Sequence, residues 1–221
     1  MTTTSVAPTA LVLDLDGVVL QTTLLKARVM CGLFADRIDL KPTIERWVLE
    51  RAGVPRREKL AGLFTEVLGL PPDPTRLDAW LVRYGHALED ALIAAPLADG
   101  VDAFLAHSRL PCYVSSSAPD DEVRAQLARR GLLDRFDATF GGSTPKAAAL
   151  AAIARTHPTG IVFFGDSPGD LDAARETHTA FVGVVKEHDG FAGADVVRLP
   201  DFMSLPRVEQ CMREALGRLA R

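Results

Sequence analysis

The sequence predicts an α/β protein built on a doubly wound parallel sheet, with an α-helical segment inserted behind the first strand. Three observations carry this. Apolar runs at Ala10–Leu13, Pro111–Ser117 and Gly160–Phe164 are short for helices and read as strands buried on both faces. Stretches with helical spacing separate the later runs, and strands that alternate with helices make parallel sheets through right-handed crossovers. Residues 21–95 instead hold helix signals one after another, without a good strand between them. A chain of 221 residues has room for an α/β domain of residues 9–20 and 96–221 and a helical domain of residues 21–95.

Met1 to Pro8 has no basic stretch ahead of an apolar one, so it is not read as a secretory signal and is expected to fray. After the strand Ala10–Leu13, the residues Leu24, Leu25, Arg28, Val29 and Leu33 suit a first helix. Pro42 opens a second in its first turn, with Ile44, Trp47, Val48 and Ala52 on one face and Gly53 at its end. Pro55–Leu68 is a third, carrying Leu60, Leu63, Phe64, Val67 and Leu68 at helical spacing. Three prolines break the chain at Leu70–Thr75, and Leu77–Ala94 is a fourth helix with Trp80, Leu81, Tyr84 and Leu88 inward. Pro96–Gly100 leads back to the sheet, and Val101–His107 is a helix. Pro111 takes the first position of its strand, where a missing N–H is tolerated. A helix from Pro119 to Arg130 has acids in its first turn and bases in its last, in line with its dipole, and Gly131 stops it. There follow a strand at Phe136–Phe140, an Ala-rich helix at Lys146–Thr156, the strand Gly160–Phe164, a helix at Asp170–Glu176 and strands at Ala180–Val185 and Ala194–Leu199. An amphipathic helix at Leu205–Leu219 completes the series.

Composition excludes several classes. With 25 Lys+Arg against 29 Asp+Glu the net charge is −4, no footprint for nucleic acid or an anionic membrane. No apolar run reaches the length of a membrane span. Cys31, Cys112 and Cys211 are widely spaced and form no Cys-x-x-Cys pair, which suits reduced thiols in a cytoplasmic protein. Neither a Gly-x-Gly-x-x-Gly nor a Gly-Lys-Ser/Thr loop occurs.

The residues with chemistry stand at predicted strand ends and helix starts, the edge where doubly wound sheets bind ligands. Asp14 and Asp16 follow the first strand at i, i+2, a spacing that sends both carboxylates to one side. Two like charges beside apolar flanks repel and lose solvation, costs that a divalent cation relieves; oxygen-only ligands suit Mg²⁺. Gly17 allows a sharp turn and a close ligand approach. Two solvated aspartates capping a strand are the bland alternative. Ser115, Ser116 and Ser117 end the second strand ahead of a helix, where hydroxyls and backbone N–H groups bind anions or simply cap. Lys146 opens a helix against its dipole, a placement that an anion would explain. Asp166 ends a buried strand and Asp170 follows four residues on, so that both acids can face one cation, although Asp170 also suits an N-cap. Lys26, Arg56, Arg57 and Lys59 are basic residues of the helical segment, either solvated or closing over an anion.

Four of these stretches, in this order, resemble the motifs of the haloacid dehalogenase superfamily, in its phosphatase branch with a small helical cap, which includes phosphoglycolate phosphatases and β-phosphoglucomutases. The stretches are Asp14-Leu-Asp-Gly-Val18, the serines at 115–117, Lys146 and Gly165-Asp-Ser-Pro-Gly-Asp170. The resemblance implies a Rossmann-like core with an inserted cap. It also implies Asp14 as nucleophile, Asp16 as general acid/base, and Ser116 (with Ser115 its close competitor) and Lys146 on the phosphoryl oxygens. Asp14, Asp16, Asp166 and Asp170 would form the Mg²⁺ site, Asp170 directly or through water. Ala52 to Lys59 is similar to a Gly-Val/Ile-Ser-Arg-x-Glu-Lys segment of some small-cap members. Gln21-Thr22 stands where many relatives have Asp-Ser, and Gly-Gly-Ser-Thr-Pro precedes the lysine where many have Gly-Lys-Pro. The expected function is Mg²⁺-dependent hydrolysis of a small phosphate monoester by a monomer or homodimer, with no nucleic-acid or membrane partner. A phosphomutase would share the same core residues, and a non-catalytic binding module is the reading from another class.

Overall fold

The computed structural model describes residues 7–51, 53–71, 73–186 and 189–219. Six strands form one sheet: β1 (Ala10–Leu13), β2 (Cys112–Ser115), β3 (Ala138–Phe140), β4 (Ile161–Gly165), β5 (Ala180–Val184) and β6 (Val197–Leu199). Their spatial order is β3-β2-β1-β4-β5-β6 and every pair is parallel. β1 is central, with Leu11 opposite Cys112 on one side and Val162 on the other. Strands buried on both faces need apolar residues at every position, and all four residues of β1 and all five of β4 and β5 are buried.

Alternation along β1 feeds two separate cores. Leu11 and Leu13 pack beneath α5 (Val101–His107), α6 (Asp120–Arg129) and α9 (Leu205–Leu219), through Phe104, Leu127, Val208 and Met212. Ala10 and Val12 face α7 (Lys146–Thr156) and α8 (Pro168–Glu176), through Leu150, Ile153 and Leu171. A third core is made by the inserted helices alone: α1 (Thr23–Gly32), α2 (Lys41–Glu50), α3 (Arg56–Gly62) with its π-helical continuation Leu63–Val67, and α4 (Pro74–Ala94). Phe34 stacks on Trp80 with ring centroids 4.5 Å apart, and Phe64 meets both rings edge-on. The chain leaves and re-enters the sheet layer side by side: Leu20 bridges Leu97, Ala98 N–H donates to Val19 at 2.9 Å and Gln21 N–H to Pro96 at 3.0 Å.

Several boundaries and faces differ from the sequence reading. α4 begins at Pro74 because Asp73 caps it, accepting from the Arg76 N–H at 3.2 Å. α8 begins at Pro168 with Ser167 as its N-cap, which puts Asp170 inside the first turn. β2 ends at Ser115, so Ser116 and Ser117 belong to the following loop. The inward residues of α1 are Ala27 and Met30, with Arg28 exposed and Leu25, Val29 and Leu33 at the partly buried margin. Its inner stripe serves a cavity as well as a core, so the most apolar face is not the most buried one. Trp47 is buried as expected, and its indole N–H donates to Glu66 at 3.0 Å. Trp80 is only partly covered. Ala52, Pro72 and the tail from Met1 to Val6 lie outside the described residues. Among the described residues no helix is long and apolar enough to cross a membrane.

Candidate active site

In this strand order the connections run outward in opposite directions from β1 and β4, which opens a crevice at their carboxyl ends. Asp14 sits there because the ladder continues one residue beyond β1: its N–H donates to Phe164 at 2.9 Å. A tight loop follows, closed by bonds from Val19 and Leu20 back to Leu15 and from Gly17 to Leu20. Gly17 has φ +79°, and a Cβ there would come within 2.0 Å of the Asp166 carboxylate. A side chain at position 17 therefore collides with the opposite wall of the crevice.

Asp14, Asp166 and Asp170 are brought together, with one carboxylate oxygen from each within 4.8 Å of the others. Asp14 is buried; its Oδ1 accepts the Leu15 N–H at 2.7 Å and its Oδ2 lies 3.0 Å from the Lys146 ammonium. Lys146 also pairs with Asp170, whose other oxygen accepts from the Ser167 hydroxyl at 2.6 Å and the Ser167 N–H at 3.1 Å. Asp166 accepts from the Thr23 hydroxyl at 2.6 Å. Burial raises the Asp14 carboxyl well above its usual range; Lys146 opposes this, while Asp170, Asp166 and Asp16 add to it. Asp166 is pushed up to about 7 by burial and then by Asp170, against the Thr23 bond and Lys146. Burial disfavours the Lys146 cation, but Asp14 and Asp170 outweigh it and hold the pKa above that of a free lysine. The helix-opening lysine thus has its anions, in two carboxylates.

Asp16 lies in the same crevice with different partners. Its oxygens accept from the Thr22 hydroxyl and, at 2.7 Å, from Lys26. Burial works against its charge, but Lys26 and Thr22 hold the carboxyl below its usual range. Lys26 reaches Glu122 of α6 at 3.3 Å, and Arg56 of α3 reaches the other Glu122 oxygen at 2.5 Å. Lys26, Arg56, Lys59, Met30, Val48 and Tyr84 close a cavity of about 70 Å³ over Asp14, Asp16 and Asp166. That is small beside the roughly 300–1,000 Å³ of pockets for drug-sized ligands. Arg57, by contrast, pairs with Asp78 and is exposed.

The serines divide. Ser116 Oγ accepts from the Ala118 N–H at 3.1 Å, a local capping bond. Ser115 Oγ is, among the described residues, the one buried side-chain polar atom without a hydrogen-bond partner. Ser117 lines the cavity. Sequence reasoning gave no site role to Thr22, Thr23, Ser167 or Glu122, and noted Thr22 only as a departure from many relatives. The first two follow the Asp-x-Asp loop directly, and Ser167 lies inside the Gly-Asp-x-x-x-Asp stretch, so proximity was a usable signal for all three. Nothing local marks Glu122.

The family model for haloacid dehalogenase-like hydrolases matches residues 8–178. No curated protein matches the chain. Among solved structures, a conserved haloacid dehalogenase-like protein of unknown function from Agrobacterium tumefaciens superposes with a TM-score of 0.71 at 20% identity, over 93% of this chain and 99% of that one. A predicted phosphoglycolate phosphatase from Haemophilus somnus gives 0.70 at 17% identity, over 91% and 97%. A subfamily IA hydrolase from Geobacter sulfurreducens gives 0.61 at 17% identity, over 95% and 100%.

Proposed function

Because the chain belongs to the haloacid dehalogenase-like hydrolases, we propose that it is a Mg²⁺-dependent phosphatase acting on a small phosphate monoester through an aspartyl-phosphate. The observation that carries this reading is the buried trio of Asp14, Asp166 and Asp170 beside Lys146. Burial and mutual repulsion raise two of these carboxyls toward the neutral form, and the donors are all oxygens, a set that fits Mg²⁺. Asp14 and Asp166, with the Asp16 carbonyl, would hold the ion, and Asp170 would support it directly or through water. When bound, Mg²⁺ neutralises charge that develops on the phosphoryl oxygens.

Asp14 Oδ bonds to phosphorus as the ester P–O bond breaks. Asp16 gives a proton to the leaving alkoxide, then takes one from the water whose oxygen displaces Asp14. The Lys26 pair favours the carboxylate that the water step needs. It opposes the protonated form needed first, so loosening of that pair as substrate enters belongs to the cycle. Lys146 and the motif serine, Ser116 or the unpartnered Ser115, hold phosphoryl oxygens, with Gly17 and Ser117 lining the approach. Residues 21–95 act as a cap over the core of residues 9–20 and 96–221, with the paired segments at Leu20 and Leu97 as the hinge. Lys26, Arg56 and Lys59 face the leaving group. The free thiols of Cys31, Cys112 and Cys211 suit a cytoplasmic enzyme.

Purified protein with Mg²⁺ on a panel of phosphate esters should release inorganic phosphate, and Asp14→Asn should abolish turnover while circular dichroism stays that of the parent. Wild-type turnover by that variant would end the covalent mechanism. An isomerised sugar phosphate in place of free phosphate would make the protein a mutase.

A further inference from the structure

The last turn of α4 holds no basic residue, so the helix brings no cation to its own final carbonyls or to the negative end of its dipole. The cation comes from the core instead. Arg130, at the carboxyl end of α6, sends one guanidinium nitrogen to the carbonyls of Leu92 and Ala95, at 2.8 and 2.6 Å. Another bonds the Gln126 carbonyl at 3.0 Å and the Gln126 side-chain oxygen at 2.7 Å, and Gln126 is buried. Burial works against the arginine charge, yet these four bonds all go to uncharged oxygens. Ala95, Pro96 and Leu97 lie where the chain returns to the sheet, and each carbonyl takes a donor. The donors are Arg130, the Gln21 N–H at 3.0 Å and the Gln21 side-chain amide at 3.0 Å. The outgoing and returning segments are thus bonded to each other, and Arg130 ties them to α6. Glu122 stands near the other end of α6, about 12 Å away at 1.5 Å per residue, and holds Lys26 and Arg56.

We propose that Arg130 is a positioning residue for turnover: it fixes the end of α4 to α6, so that the inserted helices turn about that point and bring Lys26 back over Asp16 at each closure. This rests on the phosphatase reading above and on its hinge. Two features make Arg130 the fixed end and Glu122 the releasing one. The Glu122 pairs engage Lys26 and Arg56, both on the cavity wall, where an anionic substrate competes for them. Arg130 bonds main-chain carbonyls of Leu92 and Ala95, neither of which lines the cavity. A planar fork on two carbonyls also sets an orientation, which one point contact does not. Because both anchors belong to one helix, the distance from the pivot to the landing place of Lys26 and Arg56 is constant.

Native-state hydrogen exchange of the full chain reads this clamp without any substrate. In Arg130→Met the amides of Gln21 and Ala98, which bond across the crossing, should exchange about tenfold faster than in the parent, while those of β4 keep parental rates. On the best substrate of the phosphate-ester panel, KM should rise about tenfold with kcat within about twofold, because a cap less often in place lowers apparent affinity by that fraction. Arg130→Lys keeps the charge without the fork; it should show the same pattern with smaller shifts, and it serves alone if Arg130→Met does not fold. Parental exchange at Gln21 and Ala98 would overturn the assignment. So would faster exchange spread evenly through β4, the mark of an arginine that only stabilises the fold. Faster exchange at the crossing with an unchanged KM would overturn the positioning role. If the parent turns over no ester at all, the phosphatase reading falls, and the exchange data show separately whether Arg130 holds the crossing.

Discussion

Asp170 is fully buried and divides its oxygens between Lys146 and Ser167, while its own N–H donates to the Ser167 hydroxyl oxygen at 3.3 Å. This reciprocal capping box at the start of α8 makes Asp170 a structural residue as much as a ligand candidate. Asp170→Ala should therefore lower stability by about 1–3 kcal/mol, the cost of leaving the buried Ser167 donors without their acceptor while Lys146 keeps Asp14, read as a reduced denaturant midpoint in the presence of chelator. Asp166→Ala should instead flatten the Mg²⁺ titration of activity with little loss of stability, because it removes a carboxyl that its neighbours repel. An Asp170→Ala protein as stable as the parent would contradict this division. The spacing Gly-Asp-x-x-x-Asp puts both acids within reach of one cation and leaves an N-cap as the alternative duty of Asp170. The N-cap is Ser167, because Pro168 suits the first helical position and starts the helix earlier.

At the scale of elements, the loop between α2 and α3 meets the start of α8. Gly53 has φ +81°, and a Cβ there would stand 2.3 Å from the Ser167 hydroxyl. Gly53→Ala should push the inserted helices off the core and strain the backbone, so proteolysis near α3 should quicken and KM should rise. Unchanged cleavage kinetics would mean that the loop yields without moving the helices. The sequence made the elements themselves legible, since each carries its own period. Ile44, Trp47 and Val48 mark the inner face of α2, and the unbroken apolar run at Ile161–Phe164 marks a strand covered on both sides. Contacts between elements have no such trace. Arg56 to Glu122 and Thr23 to Asp166 join segments far apart in the chain, and only the folded crossing of α1, α3 and α6 over the sheet edge brings them within reach.

For the whole molecule, the acidic trio links stability to pH and metal. Asp166 and Asp14 have folded-state pKa values above the ordinary carboxylate range. At these two carboxyls the metal-free folded protein therefore binds protons that the unfolded chain releases, and their contribution to stability falls as pH rises from about 4 through about 7. At the proposed site a Mg²⁺ ion would take the place of those protons. The rise in Tm on adding Mg²⁺ should thus be larger at pH 7.5 than at pH 5, by thermal melts in chelator and in metal; an increment independent of pH would show that the trio does not bind the ion. The position of β1 has a consequence for how the molecule is made. Its partners are Cys112–Val114 and Ile161–Phe164, late in the chain, whereas the aromatic core of α1 to α4 is drawn from neighbouring segments only. Loop closure slows the first kind of contact and hardly delays the second. In pulse-labelled refolding, amides of the inserted helices should gain protection before those of the sheet, so β1 waits unpaired until β2 or β4 docks, and Asp14 meets Asp166 and Asp170 only after β4 is in place.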